Sequence, residues 1–355
     1  MNPSRPIAER ARGAVSNIAN RFEAMRLELD PVEPDQDEPR RPIQTQFYRD
    51  HSSSIIARNH SPDVGFDASI NPYRGCEHGC AYCYARPSHE FLGMSAGLDF
   101  ESKIMVKTDA AELLRKELTK KSWKPQVIAM SGVTDCYQPA ERKLRITRSC
   151  LKVLAEFRNP VGIVTKNHLV TRDIDVLREL AEHQAVMVNI SITTLDGDLA
   201  KVLEPRASPP SRRLAAVQEL RAAGIPVGIF MAPIIPGLND HEIPRVLAAA
   251  AEAGACDAGF VPLRLPLAVA PLFEAWLERH RPGEKEKILG RVRSMRGGRL
   301  NDSSFGSRMQ GEGFLADQLH QLFQVAKMRA GFCAPRMELS TASFRVPTLQ
   351  LSLPL

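Results

Sequence analysis

The sequence predicts an α/β protein built from consecutive right-handed β-α units, and three observations carry that expectation. Short apolar runs of strand length alternate with amphipathic stretches from about residue 66 onward. Strand, helix and strand in succession imply parallel pairing with right-handed crossovers. The composition is that of a packed globular chain, 43% hydrophobic and 25% charged over 355 residues, which excludes wholesale disorder. Six units can be counted, short of the eight that close a barrel, and no internal repeat is visible.

The elements follow in order. Residues 1–65 read as an N-terminal arm. Its first 50 residues mix charge with Pro31, Pro34, Pro39 and Pro42 without sustained periodicity, so it is expected to be largely irregular, with a short helix at most over 18–29. The central unit covers 66–265. Its strands are expected near 68–71, 126–130, 162–165, 186–191, 227–230 and 258–261. Helices are expected over 110–121, 144–157, 174–183, 210–223 and 243–252, each with apolar positions three and four apart, such as Cys150, Leu151 and Leu154. After about 266 the alternation stops, and the extension to 355 offers one amphipathic helix, over 316–328.

Charge and hydropathy exclude some function classes. No apolar run approaches the roughly 18–20 residues of a membrane span; the longest candidate, 225–238, is cut by Pro226, Pro233 and Pro236. The first residues, with Arg5, Glu9, Arg10 and Arg12, lack the apolar stretch of a secretory signal. A soluble, cytoplasmic protein without a membrane partner is expected. The net charge is +6, and the excess lies after residue 280. Arg291, Arg293, Arg296, Arg299 and Arg308 are opposed there only by Asp302. Such a segment suits a phosphate backbone or another anionic partner, or simply a solvated basic surface.

The cysteines are more specific. There are seven, Cys76, Cys80, Cys83, Cys136, Cys150, Cys256 and Cys333. An odd number without a signal peptide argues for free thiols in a reducing compartment. Three of them form C-x3-C-x2-C in the run Asn71-Pro-Tyr-Arg-Gly-Cys76-Glu-His-Gly-Cys80-Ala-Tyr-Cys83-Tyr-Ala-Arg86. This run follows the first strand, at the carboxyl end where such folds carry their chemistry. Gly75 and Gly79 allow tight turning. Thiolates are soft ligands, favouring zinc or an iron–sulfur cluster. A structural zinc needs a fourth ligand, which would be His78, His89 or Cys136. A [4Fe-4S] cluster on three cysteines instead leaves one iron open, and the lack of a second cysteine pair favours it.

With Tyr82 before the third cysteine, the run resembles the signature of radical S-adenosylmethionine (SAM) enzymes. The stretches Asn71-Pro-Tyr-Arg-Gly-Cys76, Tyr82-Cys-Tyr84-Ala-Arg86, Thr165-Lys166 and Arg172-Asp173 look like the branch that contains spore photoproduct lyase. The resemblance covers roughly 66–265. It implies a partial (β/α)6 TIM-type barrel with the cluster loop after the first strand. It also implies a [4Fe-4S] cluster on Cys76, Cys80 and Cys83, and SAM as second cofactor. A reductant such as flavodoxin or ferredoxin would feed the cluster. Cleavage of SAM would give methionine and a 5′-deoxyadenosyl radical, which takes a hydrogen atom from the substrate.

The resemblance also suggests roles at the other strand ends. Tyr82 would contact adenine, and Ser131, Gly132 and Thr134 the SAM amino group. Lys166 would pair with the SAM carboxylate. Ser191 and Thr193 would meet the ribose hydroxyls, though strand-end hydroxyls also serve as caps. The turn at 236–240 would lie near the adenine. Cys136 and Tyr137 are candidate hydrogen-atom donors, although small buried thiols are common. Cys150 and Cys256 are expected in helical core positions, and His89 and Glu90 in an ordinary helix start. The substrate is expected to be polyanionic, DNA or RNA, although few aromatics are available to fill the gap left by a flipped base. A protein or small-molecule substrate is the alternative, followed by a zinc- or cluster-containing nucleic-acid-binding module.

Overall fold

Six parallel strands organise the molecule, and each runs out at its carboxyl end into the loops that carry the chemistry. The computed structural model describes residues 12–22, 43–333 and 337–347. The parallel strands are β3 (Ala68–Ile70), β6 (Ile128–Met130), β7 (Val161–Thr165), β8 (Val186–Ser191), β9 (Val227–Ile234) and β10 (Asp257–Pro262). The remaining strands are β1 (Gln46–Arg49), β2 (Ile56–Arg58), β4 (Tyr73–Arg74) and β5 (Lys103–Val106). The main sheet has the order β10-β9-β8-β7-β6-β3-β2, and β2 runs antiparallel to β3 at its edge. Each strand neighbours the next in sequence, as right-handed winding requires. The sheet stays open between β10 and β2, so it is a partial barrel. A small sheet, β1-β5-β4, stands beside it.

The helices between strands are Ala110–Thr119, Ile146–Phe157, Ile174–Ala181, Pro210–Ala222 and Ile243–Glu252. Their apolar stripes pack onto strands that are buried along most of their length, among them Val161, Ile163, Val186, Val188, Ile190, Val227 and Ile229. One continuous apolar core results, and it includes Ile55 before the central unit and Leu319 and Phe323 beyond it. No helix among the described residues is long and apolar enough to cross a membrane.

Several expectations need correction. The helix expected over 144–157 is two, Glu141–Leu144 and Ile146–Phe157, because Arg145 between them is left-handed, with φ 53°. The Glu141 carboxylate accepts the amides of Thr147 (3.0 Å) and Arg148 (3.3 Å). It thus caps the second helix from the first, replacing a continuous ladder. In the arm, residues 18–22 are not helical. The Ser95 hydroxyl takes the Ile18 amide and donates to the Ile18 carbonyl, and Asn20 donates to the carbonyls of Glu90 and Met94. The rest of that candidate, 23–29, lies outside the described residues. Nor is the arm irregular throughout, since β1 and β2 are paired strands. Cys150 is buried as expected, but Cys256 is exposed, in the turn before β10.

The C-terminal extension holds more helix than its periodicity suggests. Phe314–Arg329 is preceded by Val269–His280, Lys285–Ser294 and the single turn Ser307–Gln310. Pro271 near the start of one and Gly290 within another weaken the local signal. Tertiary burial of Phe273, Trp276, Leu277, Ile288, Leu289 and Val292 overrides it.

The basic segment is largely committed to the fold. Arg296 is buried and donates to the carbonyls of Leu263 (2.9 Å), Pro262 (3.1 Å) and Arg308 (3.1 Å). Burial pushes its guanidinium down to about 10. Arg308 binds Asp63 at 2.8 Å. Arg299 stays exposed. Arg296→Met is therefore expected to lower stability by about 2–4 kcal/mol in urea denaturation, since three buried carbonyls lose their donor. Arg299→Ala should stay within about 0.5 kcal/mol of the parent. Equal effects would contradict this account of the segment.

Candidate active site at the carboxyl ends of the strands

The cysteine turn leaves the sheet at Ile70 and is shaped by backbone constraints. The Cys76 amide donates to the Phe100 carbonyl at 2.9 Å. Gly75 has φ 81°, and a Cβ there would fall 2.9 Å from the Phe100 oxygen and 3.0 Å from the His89 ring. Gly79, between the first two cysteines, has φ 67°, and its Cβ would meet the Glu101 carboxylate at 2.7 Å. Both positions therefore need glycine. Arg86, fully buried, donates Nε (3.0 Å) and Nη2 (2.8 Å) to the Cys80 carbonyl and pairs with Glu101 at 2.6 Å. His89 packs edge-on against Phe100, and Glu90 pairs with Arg21.

Cys76 and Cys80 are buried and Cys83 half-buried. Burial pushes the Cys76 thiol well up, and the charges of Asp135, Cys80 and Cys83 add to it. Burial likewise raises Cys80, to about 12. Ligation would require their deprotonation, so metal uptake by these thiols would release protons. Among the described residues no three His, Cys, Asp or Glu side chains are gathered to grip one ion. A tetrahedral zinc would want sulfurs about 3.8 Å apart, given Zn–S bonds of about 2.3 Å. In a polynuclear iron–sulfur centre each cysteine takes its own iron instead.

Two carboxylates brace the turn on opposite sides. Asp135 faces His78 Nδ1 at 3.3 Å and accepts from the Thr165 hydroxyl and the amides of Lys166 and Tyr137, each at 2.8 Å. Burial alone would raise its carboxyl, but His78 and these donors hold it down at about 2. Opposite, Glu204 accepts from the hydroxyls of Tyr82 and Thr193 and pairs with Arg213. Arg213 also donates to the carbonyls of Ser191 (3.0 Å) and Ser208 (2.7 Å). Despite burial, the charges of Arg213 and Lys166 hold the Glu204 carboxyl below its usual range. Lys166 Nζ stands 5.8 Å from the centre of the Tyr82 ring. Burial works against its charge, but Cys80 and Glu204 outweigh that and raise it.

The structure thus brings Tyr82, Lys166 and Thr193 into one group, with Ser191 tied in through Arg213. The hydroxyl of Ser191 itself donates to the Ala232 carbonyl at 3.3 Å. The turn at 236–240 is joined to the group by Asn239, which donates to the Thr193 carbonyl at 2.8 Å. Ser131, Gly132 and Thr134 form a second group. Ser131 is left-handed, with φ 75°, a strained conformation for a residue other than glycine. Its hydroxyl accepts the Cys136 amide at 2.8 Å. The Gly132 carbonyl accepts the Tyr84 hydroxyl at 2.8 Å, and the Thr134 hydroxyl donates to the Tyr73 carbonyl at 2.7 Å. Cys136 and Tyr137 are fully buried. The Cys136 thiol, raised by burial, lies against the Ser131 hydroxyl. Tyr137 gives its hydroxyl to Asp173 at 3.1 Å, in a network with Arg148, Arg172, Glu141 and Tyr73.

Glu204, Arg213, Asp135 and Glu101 were not singled out from the sequence, and Arg86 only as part of the cysteine motif. Charged residues inside otherwise apolar patterns, such as Arg213 on the helix Pro210–Ala222, were the available signal.

Comparison with known proteins bears on this geometry. The family model described as the radical SAM superfamily matches residues 70–250, half of the chain, and the chain belongs to that superfamily. Its members use an iron–sulfur cluster and SAM, and they need a reductant. An uncharacterized protein of Mycobacterium tuberculosis is 36% identical over 219 residues, covering 61% of this chain and 64% of the relative. The match therefore spans just under two thirds of that relative's length. An uncharacterized protein of Methanocaldococcus jannaschii is 33% identical over 173 residues, 49% of this chain and 62% of that protein. Among solved structures, a spore photoproduct lyase variant with bound AdoMet and dinucleoside spore photoproduct aligns with TM-score 0.59 at 15% identity, covering 80% of this chain and 79% of the other. At that identity the likeness is one of fold.

The Glu204–Arg213 pair has a measurable consequence. Glu204→Gln leaves a buried guanidinium without its counter-charge and is expected to cost about 3–5 kcal/mol in urea denaturation. A Glu204→Gln/Arg213→Met double variant should recover part of that loss. Because folding depresses the Glu204 carboxyl, its contribution is complete above the unfolded value of about 4.3 and fades as pH falls below it. The gap between parent and Glu204→Gln should therefore narrow on acidification below about pH 4; a gap independent of pH would contradict the ionised pair.

Proposed function

We propose that the protein holds a [4Fe-4S] cluster on Cys76, Cys80 and Cys83 and cleaves SAM reductively, to abstract hydrogen from a nucleic-acid substrate. The observation that carries this reading is the three-thiol turn facing the Lys166 ammonium, while His78 within the motif is held instead by Asp135 and Asn167. When bound, the cluster supplies the electron that breaks the sulfonium C–S bond, yielding methionine and a 5′-deoxyadenosyl radical. The protein's part is binding and orientation. Lys166, whose ammonium makes no hydrogen bond or ion pair to the described residues, is the partner for the SAM carboxylate. Tyr82 flanks it as the aromatic surface, Ser131, Gly132 and Thr134 lie on the amino-group side, and Ser191 and Thr193 on the ribose side. Of the two hydrogen-donor candidates, Cys136 is favoured, because Tyr137 has committed its hydroxyl to Asp173. Flavodoxin or ferredoxin would serve as reductant.

The substrate class rests on two supports. Spore photoproduct lyase, of similar fold, is known with a dinucleoside photoproduct bound. In addition, cations cover two exposed rings: Arg264 lies 5.1 Å from the centre of Tyr84, which follows Cys83, and Arg308 lies 4.7 Å from that of Phe305. Tyr84 is 47% and Phe305 63% exposed. Aromatic faces beside guanidinium groups suit stacking bases and their phosphates.

Anaerobically reconstituted protein given dithionite and SAM is expected to release 5′-deoxyadenosine, and a Cys83→Ala variant to release none. Equal output from both would refute the ligand assignment. For the substrate class, Arg264→Ala should weaken binding to single-stranded DNA and lower the salt slope by about one. Binding unchanged by that substitution would turn the search to protein or small-molecule substrates.

A further inference from the structure

The outer side of the cysteine turn is covered by chain that lies outside the segment matched to the family. Residues 12–22 run along 79–101, and the closest approach is backbone to backbone. A Cβ on Gly13 would fall 1.6 Å from the Gly79 carbonyl oxygen, so the arm rests directly on the peptide between Cys76 and Cys80. Glu101, fully buried, fastens it there. Its carboxylate accepts the amides of Gly13 (3.0 Å) and Ala14 (2.7 Å), while the same group pairs with Arg86, the residue that grips the Cys80 carbonyl.

Further contacts extend the seam in both directions. Arg12 donates to the Glu101 carbonyl (2.6 Å) and to the Thr45 hydroxyl (3.2 Å), and that hydroxyl donates to Glu77, inside the turn, at 2.7 Å. Asn17 and Asp99 exchange two hydrogen bonds. Gly97 lies so close to the arm that a Cβ there would fall 2.2 Å from the Ser16 carbonyl.

We propose that residues 12–22 are a strap belonging to the metal site. By covering Gly79 and sharing the Glu101 carboxylate with Arg86, the strap shields Cys76 and Cys80 from solvent and holds them in position for ligation. The inference rests on the cluster reading for its purpose, but the shielding can be read without any metal. Glu101 and Gly13 are positioning residues, since the Glu101 carboxylate is committed to Arg86 and to the amides of Gly13 and Ala14, and Gly13 has no side chain.

The test uses the full-length chain. In metal-free, reduced protein, iodoacetamide labelling is followed cysteine by cysteine by mass spectrometry. Gly13→Val is expected to raise the labelling rates of Cys76 and Cys80 at least tenfold, with Cys150 unchanged as a monitor of the core. In reconstituted protein the same variant should lose iron to a chelator at least tenfold faster than the parent. An Arg12→Met/Asn17→Ala variant loosens the strap by removing side-chain hydrogen bonds and is read alongside, in case Gly13→Val does not fold. It too should speed both rates. If a folded variant of either kind labels within twofold of the parent, the strap is not a shield and the proposal falls. If the parent binds no iron yet its Cys76 and Cys80 are protected only while the strap is intact, the cluster reading fails and the strap survives.

Discussion

Three thiols can be turned inward from an eight-residue run only if the polar backbone around them is paid for elsewhere, and two buried ion pairs do this. Arg86 and Glu101 hold the outer side of the turn, and Arg213 and Glu204 hold the wall that carries Tyr82. Neither pair is an efficient source of stability, because desolvation offsets much of the attraction. Each instead fixes several groups at once: Arg86 grips the Cys80 carbonyl, and Glu204 collects the hydroxyls of Tyr82 and Thr193. The value of these pairs is positional. They specify one arrangement of a loop that would otherwise have many.

The same charges set the electrostatics of the site. Buried thiols resist ionisation, so anionic ligands accumulate only with a metal's charge to offset them. Lys166 stands close to Cys80 and Glu204, which keep it cationic in spite of burial. On the proposed reading, a fixed cation beside a cluster with one open iron would suit a carboxylate-bearing cofactor, and preorganised dipoles need little reorganisation to receive it. Strain at Ser131, φ 75°, fits the same picture of a loop held by its surroundings.

Much of this was legible in the sequence, for physical reasons that differ from element to element. The strands expected at 186–191 and 227–230 announce themselves because both of their faces are largely buried and most residues are apolar, although the second runs on to Ile234. The cysteine spacing is legible because ligands for one centre must sit within a short turn. The break at Arg145 was hidden, since it depends on the Glu141 carboxylate capping the following helix. Arg296 was misread as surface charge because burial of an arginine by three distant carbonyls leaves no trace in local periodicity. Glu204 and Arg213 were missed for a related reason. Their partners come from separate elements, and only the folded sheet brings Tyr82, Thr193 and Ser191 to them. The strap is the extreme case: Gly13 and Gly79 are 66 positions apart, and nothing in either neighbourhood announces the contact.

The central claim is that the three-thiol turn holds an iron–sulfur cluster with one iron left open for SAM. Electron paramagnetic resonance of the anaerobically reconstituted, dithionite-reduced protein tests it most directly, read together with iron and sulfide analysis. The account predicts about four irons and four sulfides per chain and a reduced-cluster signal that changes when SAM is added. A protein that takes up stoichiometric zinc instead, or a cluster signal indifferent to SAM, would contradict it.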